Sequence, residues 1–147
     1  MGRNGFAYSD KDTGNYYISN NGKRNAGNKG YTYRNDGVDI YKDSSHYETY
    51  YVGSIEDSEW MQYTIDVTTP GTYALKLVTA SDNNNGIISI TADDKIVIAQ
   101  KAVVSTGGIK NWQTETIKNV SFNKGKHTIK LYADKGGFNL KQLIFIK

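Results

Sequence analysis

Short alternating apolar segments, separated by turn-forming residues, limit most strongly what this chain can fold into. Apolar side chains occupy every second position over 61–67 and again over 73–77, and Pro70-Gly71 separates the two segments. Successive side chains of a β-strand point to opposite faces of a sheet, so this pattern predicts two half-buried strands. The intervening turn favours a meander, in which the two strands pair as neighbours.

The same pattern continues to the C-terminus, and no window of eleven or more residues has sustained helical periodicity. Polar turns precede further apolar segments at 88–90, 96–98 and 129–131. About eight to ten short strands at near-even spacing predict an all-β fold, a jelly-roll β-sandwich. A chain of 147 residues suits a single domain with one apolar core. We expect 1–147 to form that domain, with the loop-rich segment 1–37 packed on the sandwich.

Charge balance and apolar run length argue against several classes of protein. The net charge is +3, from 18 basic and 15 acidic side chains, and the lysines and arginines are scattered. We therefore expect no nucleic-acid partner, which would call for clustered cations. The longest apolar runs fall far short of the roughly 18 residues of a spanning helix, so we expect no membrane segment. The first residues lead directly into polar sequence, without the pattern of a signal peptide.

Few residues suit catalysis or metal binding. His46 and His127 are the only histidines, and there is no cysteine. His127 shares the parity of the apolar residues that follow it, which favours a structural role. The acids within 56–59 crowd one predicted loop, where solvated turn acids are the ordinary interpretation, although paired carboxylates can cleave glycosidic bonds. Oxygen donors alternate over 10–15, which loosely suits calcium but departs from the EF-hand pattern. We expect the chain not to be an enzyme.

The choice of aromatic residues is the first indication of function. Twelve tyrosines and two tryptophans stand against four phenylalanines, and these rings combine a flat apolar face with a polar group. Trp60 falls on the polar face of the strand predicted over 61–67, and Trp112 follows a polar loop where it enters a strand. Packing roughly 80 Å² of a sugar ring on one such face contributes about 2 kcal/mol at about 25 cal/mol/Å². The pattern therefore favours a glycan-binding surface.

Several ordered motifs strengthen this interpretation. They are Tyr-Arg-Asn-Asp-Gly-Val-Asp-Ile at 33–40, Tyr-Val-Gly-Ser-Ile at 51–55, Glu-Trp-Met-Gln-Tyr at 59–63, Pro-Gly-Thr-Tyr at 70–73, Thr-Gly-Gly at 106–108, Asn-Trp-Gln-Thr at 111–114 and Gly-Gly-Phe-Asn-Leu at 136–140. From about residue 6 to the C-terminus, the chain resembles family 6 of the carbohydrate-binding modules, and the related family 35 is similar in outline. The resemblance implies a galactose-binding-domain-like jelly roll that binds polysaccharide or oligosaccharide without catalysis. It also implies an extracellular module that is tethered to a secreted glycoside hydrolase.

Family members bind glycans in a cleft at one end of the sandwich or on a concave sheet face. The end cleft usually encloses a sugar between two rings, whose positions correspond to Ser54 and Ile109 here. Neither ring is present, so we expect neighbouring aromatic residues to rebuild the cleft. Asn139 matches the cleft asparagine, and Trp60 matches a tryptophan of the concave face in some members. The predicted carbohydrate-binding residues are Asn139, Trp112, Tyr33, Arg34, Tyr51 and Trp60.

The resemblance also suggests a ligand and a cofactor. The segment 33–40 is similar to modules of agarases and β-1,3-glucanases, so the predicted polysaccharide is a β-glucan or a galactan. The family implies a structural calcium, but the usual first strand that supplies a ligand is missing before Phe6. Lys141 also stands where Asn or Asp is common, so calcium is a possible cofactor without an assigned ligand set. The alternative function is a structural or protein-interaction sandwich that has lost sugar binding, which the missing cleft rings favour.

Overall fold

The structure, a computed structural model, describes residues 4–11, 28–30, 32–33, 37–44 and 49–147. Within these residues, ten strands form two antiparallel sheets, and no helix is present. The strands are β1 (Tyr8–Ser9), β2 (Ile40–Lys42), β3 (Tyr50–Val52), β4 (Trp60–Val67), β5 (Gly71–Ala80), β6 (Ile87–Ala92), β7 (Lys95–Ala102), β8 (Gln113–Phe122), β9 (Gly125–Lys135) and β10 (Asn139–Ile146).

Each sheet has five strands. One has the order β1-β4-β9-β6-β7 and is called the β4–β9 sheet below, and the other has the order β2-β3-β10-β5-β8 and is called the β3–β10 sheet. From β3 to β6 and from β8 to β10, consecutive strands alternate between the two sheets. This exchange builds the predicted jelly-roll sandwich and confirms the all-β fold.

One apolar core fills the space between the sheets. Both sheets contribute fully buried side chains, among them Leu75 of β5, Ile88 of β6 and Leu131 of β9. In β4, Met61 and Val67 are buried, as their alternation predicts. Residues of the opposite parity therefore lie on the outer face of the β4–β9 sheet, and this places Trp60 there.

The meander predicted for 61–67 and 73–77 is wrong. Strand β4 pairs with β1 and β9, whereas β5 pairs with β10 and β8 in the other sheet. The turn at Pro70-Gly71 carries the chain from one sheet to the other, and Gly71 has φ of 148°. Alternation reports only that one face of a strand is buried, so it does not distinguish a neighbour in the same sheet from a strand across the core.

Most of the segment 1–37 lies outside the described residues, so its packing on the sandwich stays a prediction. The described part contributes β1, in which Tyr8 and Ser9 pair with Met61 and Trp60. Asn28 is fully buried, and its Oδ1 accepts hydrogen bonds from the backbone of Gly30 and Ile40, both at 3.0 Å. None of the described residues belongs to a helix long and apolar enough to cross a membrane.

Candidate functional site

A cleft of about 260 Å³ opens at one end of the sandwich. Strands β2 and β3 form one wall, and the loops after β3, β5, β7 and β9 form the rest. Its lining residues are Tyr41, Tyr51, Ser54, Ile55, Asp82, Ile109, Gly137, Phe138 and Asn139. The positions predicted from the family to flank the cleft, Ser54 and Ile109, thus do lie in it.

Two stacked tyrosines form the aromatic wall of the cleft. Tyr41 and Tyr51 are directly opposite each other in the β2–β3 ladder, and their ring centroids lie 5.4 Å apart with planes at 13°. Trp112 packs edge-on against Tyr51, at 5.1 Å and 63°. Tyr51 is buried and Tyr41 is only half-buried, so Tyr41 is the outer ring of the stack. Burial raises the pKa of the Tyr51 phenol, which therefore stays neutral at ordinary pH.

Gly53 allows Tyr41 to lie flat on this wall. A Cβ atom at position 53 would approach the Tyr41 ring to 2.9 Å and Asn139 Oδ1 to 3.1 Å. The tyrosine hydroxyl and Ser54 Oγ are 2.8 Å apart, within hydrogen-bond distance. A ring from β2 is therefore tied to position 54, where the family resemblance implies an aromatic ring.

The opposite side of the cleft is built by three loops that share one buried residue. Ser81 is fully buried. Its N–H donates to Thr106 Oγ1 at 2.9 Å, and its carbonyl accepts a hydrogen bond from the Thr106 N–H at 2.8 Å. Its hydroxyl donates to the carbonyl of Gly137 at 2.8 Å. These bonds hold the loop that carries Ile109, which is 51% exposed, beside the loop that leads to Asn139.

Asn139 and Asp82 supply the polar groups of the cleft. The Asn139 amide donates through Nδ2 to the carbonyl of Ile109 at 2.7 Å, which fixes the side chain with Oδ1 as its remaining acceptor. Asp82 is exposed and accepts a hydrogen bond from Asn83 at 2.8 Å. The cleft therefore offers an amide oxygen and a carboxylate to hydroxyl donors, beside an aromatic face.

Tyr33 lies elsewhere, at the mouth of a second concavity. This groove of about 530 Å³ lies where β3 and β10 face β4 at the open side of the sandwich. Tyr33 is 71% exposed and packs on Tyr50, with ring centroids 5.7 Å apart and planes at 53°. Tyr63, on the inward parity of β4, lines the same groove.

Trp60 lies on a different sheet from the end cleft. It is directly opposite Tyr132 in the β4–β9 ladder, and both side chains are half-buried. The ammonium of Lys130 lies 3.6 Å from the centroid of the Trp60 ring and 4.8 Å from that of Tyr132. One face of the Trp60 ring is therefore covered by a cation rather than bare to solvent.

The six predicted binding residues thus fall in separate places. Asn139 and Tyr51 lie in the cleft, and Trp112 supports Tyr51 from its edge. Arg34 lies outside the described residues. The binding roles of all six residues stay predictions. Sequence reasoning missed Tyr41. Its one signal was a tyrosine directly after the motif at 33–40.

The acids within 56–59 have structural roles in the described residues. Glu59 is buried, and its two carboxylate oxygens accept hydrogen bonds from the backbone N–H groups of Lys11 and Glu56, at 3.1 and 3.0 Å. Burial raises the pKa of Glu59. Asp57 accepts a hydrogen bond from the N–H of Gly136 at 2.8 Å.

The ion pair of Lys141 bears on the calcium that the family implies. The carboxylate of Asp43 is buried, and the Lys141 ammonium occupies its Oδ2 at 2.6 Å. A cation is therefore already supplied by the chain at this position. No group of three or more His, Cys, Asp or Glu side chains within the described part of the chain could hold a metal ion. Of the alternating donors at 10–15, residues 12–15 lie outside it, and calcium binding stays a prediction.

Comparisons with known proteins agree with this architecture. The module of a marine laminarinase, LamC of Zobellia galactanivorans, is 26% identical over 75% of this chain and 88% of its own, with a TM-score of 0.66. A module of Cellvibrio mixtus lichenase 5A, solved with cellotriose, is 23% identical over 76% and 87%, with a TM-score of 0.64. A family 35 module of Clostridium thermocellum is 24% identical over 71% and 87%, with a TM-score of 0.60.

Among curated proteins, no sequence matches the chain. The sequence profile described as carbohydrate binding module (family 6) matches residues 29–147, which is most of the chain. Family 6 modules bind carbohydrate without catalysing a reaction, and the sandwich, its end cleft and the position of Asn139 agree with that assignment. The chain therefore belongs to family 6 of the carbohydrate-binding modules.

Proposed function

We propose that this module binds a neutral β-glucan in the end cleft, with the outer face of Tyr41 against a sugar ring. The observation that carries the proposal is the Tyr41–Tyr51 stack at the cleft wall, with Asn139 lining the same cleft. The laminarinase and lichenase modules support a β-glucan over a galactan.

Tyr41 replaces a ring that the sequence lacks. Because Ser54 has no ring, the phenol of the adjacent strand reaches over it, and the 2.8 Å contact between the two hydroxyl oxygens holds it there. Tyr51 stacks behind the Tyr41 ring and is itself braced at its edge by Trp112, which leaves the Tyr41 ring no room to turn inward. A sugar packed on Tyr41 would place its hydroxyls toward Asn139 and Asp82, both of which accept hydrogen bonds.

One stacked ring predicts weak binding. Roughly 80 Å² of apolar sugar surface on Tyr41 contributes about 2 kcal/mol, and a few hydrogen bonds bring the dissociation constant to the order of 10 µM to 1 mM. Such affinity is effective when a module is tethered to an enzyme on the same polysaccharide, because each further contact becomes intramolecular. We therefore propose an extracellular module that is joined to a glycoside hydrolase.

Titration calorimetry with laminari-oligosaccharides tests the proposal. We expect Tyr41→Ala to weaken binding by about 10- to 30-fold, the loss of one stacking face, and Asn139→Ala to weaken it further. Tyr50→Ala is the matched control, since it removes an exposed tyrosine from the adjacent strand outside the cleft. Equal affinity of Tyr41→Ala and wild type would overturn the assignment of this cleft.

The groove at the open side of the sandwich favours the second candidate, a protein-interaction module. Tyr33 and Tyr50 are exposed at its mouth, by 71% and 40%, and its floor is apolar, formed by side chains such as Leu143 and Phe145. Failure of affinity electrophoresis to detect binding to laminarin, lichenan, agarose, xylan or cellulose would favour this function over glycan binding.

A further inference from the structure

The outer face of the β4–β9 sheet carries a second cluster of ligand-type side chains. Met61 and Leu131 point into the core, with 7% and 0% exposure. Their neighbours Trp60 and Tyr132 therefore point outward, and they are directly opposite each other in the ladder. Lys130 and Gln62 form the next outward pair of the same ladder. The four side chains make one patch, which we call the Lys130 patch.

The charge of Lys130 has no carboxylate partner within the described residues. Its ammonium packs on the Trp60 and Tyr132 rings, at 3.6 and 4.8 Å from their centroids. Aromatic faces attract a cation without neutralising it. On β9 the next acid of the same parity is Asp134, four residues away, and it already accepts a hydrogen bond from Ser89. Toward the start of β9, the acid of the paired strand on this face is Asp66, and it lies directly opposite Lys126 rather than Lys130.

A half-buried lysine whose ammonium packs on two rings differs from a solvated surface lysine. The rings hold the side chain against the sheet, so a ligand anion need not restrict a freely rotating chain to bind it. Contact with the rings also removes part of the ammonium's water, which strengthens its attraction for an anion. The end cleft has the opposite character, because its charged group is the Asp82 carboxylate and its fixed amide presents an oxygen.

We propose that the Lys130 patch binds acidic sugars, with Lys130 pairing to a uronate carboxylate or a sulfate ester. The sugar ring would lie along the exposed edges of Trp60 and Tyr132, and the Gln62 amide would bond a neighbouring hydroxyl. Trp60 marks this face as the counterpart of the family's concave-face site, and Lys130 is the residue that would give it a preference for anionic sugars, in contrast to the end cleft. This inference rests on the proposed function in that both sites serve glycan binding.

Matched pairs of probes test the charge preference. The first pair is an oligogalacturonate and its methyl ester, and the second is a carrageenan oligosaccharide and its desulfated form. We expect wild type to bind the acidic member of at least one pair about tenfold more tightly than its neutral counterpart. The preference should fall as NaCl rises from about 0.05 to about 0.5 M. The pair that shows the preference distinguishes carboxylate from sulfate.

Variants assign the preference to Lys130. Lys130→Met keeps the apolar stem and removes the charge, so it should abolish the preference, whereas Lys130→Arg should keep it. Lys126→Met is the matched control, because it removes a cation from the same face of β9. Equal binding of acidic and neutral probes by wild type, or an unchanged preference in Lys130→Met, would overturn the inference.

The two sites can fail separately. Laminarin binding that depends on Tyr41, without binding of either acidic probe, would leave the cleft proposal standing and remove the Lys130 patch. Acidic binding that depends on Lys130, with laminarin binding unaffected by Tyr41→Ala, would do the reverse. Melting temperatures of all variants, followed by circular dichroism, verify that each is folded.

Discussion

The two walls of the end cleft differ in the kind of side chain that they present, which is aromatic on one wall and aliphatic on the other. Tyr41 presents an aromatic face, whereas Ile109 on the facing loop presents an aliphatic side chain that is half exposed. An aliphatic group contacts a sugar less extensively than an indole does, and it lacks the electron-rich face that favours C–H groups. For the proposed glycan, we therefore expect position 109 to limit the affinity of the cleft.

Ile109→Trp should tighten binding of a laminari-oligosaccharide. A second ring facing Tyr41 would enclose the sugar, and recovery of part of a stacking face corresponds to about a tenfold gain, or about 1.4 kcal/mol. The Asn139 amide is held by the Ile109 backbone carbonyl, so the substitution leaves that bond in place. Titration calorimetry measures the change.

Val104→Trp is the control for this prediction. Val104 is 60% exposed in the same loop and does not line the cleft, so a tryptophan there adds an indole without enclosing the sugar. Unchanged affinity in a folded Ile109→Trp variant would show that the sugar does not lie between positions 41 and 109.

The sequence indicated the cleft better than its aromatic wall. Asn139, Ser54 and Ile109 follow from aligned motifs, and all three lie in the cleft. Tyr41 was missed because its role depends on pairing with Tyr51 across β2 and β3, and strand register cannot be read from composition. The contact between Lys130 and Trp60 was hidden for the same reason.

At the level of secondary structure, a histidine–aspartate pair joins the β6–β7 turn to the start of β9. Asp93 and Asp94 form that turn with φ of 48° and 62°. The Asp93 carboxylate lies 2.6 Å from His127 Nδ1 and accepts the N–H of Thr128 at 2.9 Å. His127 Nε2 lies 2.9 Å from the carbonyl of Asn123, which can only accept. A ring that makes both bonds donates from both nitrogens, so the two contacts favour the charged imidazolium.

This pair predicts a pH dependence of stability. The hydrogen bond to Asp93 raises the pKa of His127 above its ordinary value of 6.5, and the bond from His127 lowers the pKa of Asp93 below its ordinary 3.8. The raised pKa stabilises the fold fully below pH 6.5, and this contribution is lost as pH rises through the folded-state pKa. The lowered pKa acts above pH 3.8 and is lost as pH falls through its folded-state value.

The free energy of unfolding of wild type should therefore exceed that of His127→Gln by more at about pH 5.5 than at about pH 8.5. Urea denaturation at both pH values measures the difference. Asp93→Asn should remove the same dependence, because it takes away the partner while an asparagine tolerates the positive φ. A difference that is equal at both pH values would show that folding does not shift the pKa of His127.

Strand existence was predictable here, but strand neighbours were not. The turn at Pro70-Gly71 was identified correctly, yet it joins strands of different sheets. The predicted structural role of His127 agrees with its ring contact to Phe122, at 5.0 Å between centroids, as well as with its hydrogen bonds. Local pattern determines these features, whereas the exchange of strands between sheets is set by how the whole core closes.

For the whole molecule, the question is whether the two sheets unfold together. Side chains from both sheets form one continuous apolar cluster, and β3 to β6 alternate between the sheets. Strands of one sheet are separated along the chain by strands of the other sheet. We therefore expect that neither sheet forms without the other. The two tryptophans report on different sheets, because Trp60 begins β4 and Trp112 packs on Tyr51 of β3.

Two single-tryptophan variants, Trp60→Phe and Trp112→Phe, should each unfold in one cooperative step. Within each variant, the urea transitions followed by fluorescence and by far-ultraviolet circular dichroism should coincide, because loss of the shared core exposes both sheets at once. Comparing two probes within one variant removes any effect of the substitution itself on stability. A fluorescence midpoint separated from the circular dichroism midpoint in either variant would mean that one sheet survives alone. The end cleft, whose aromatic wall belongs to the β3–β10 sheet, and the Lys130 patch of the β4–β9 sheet would then differ in stability.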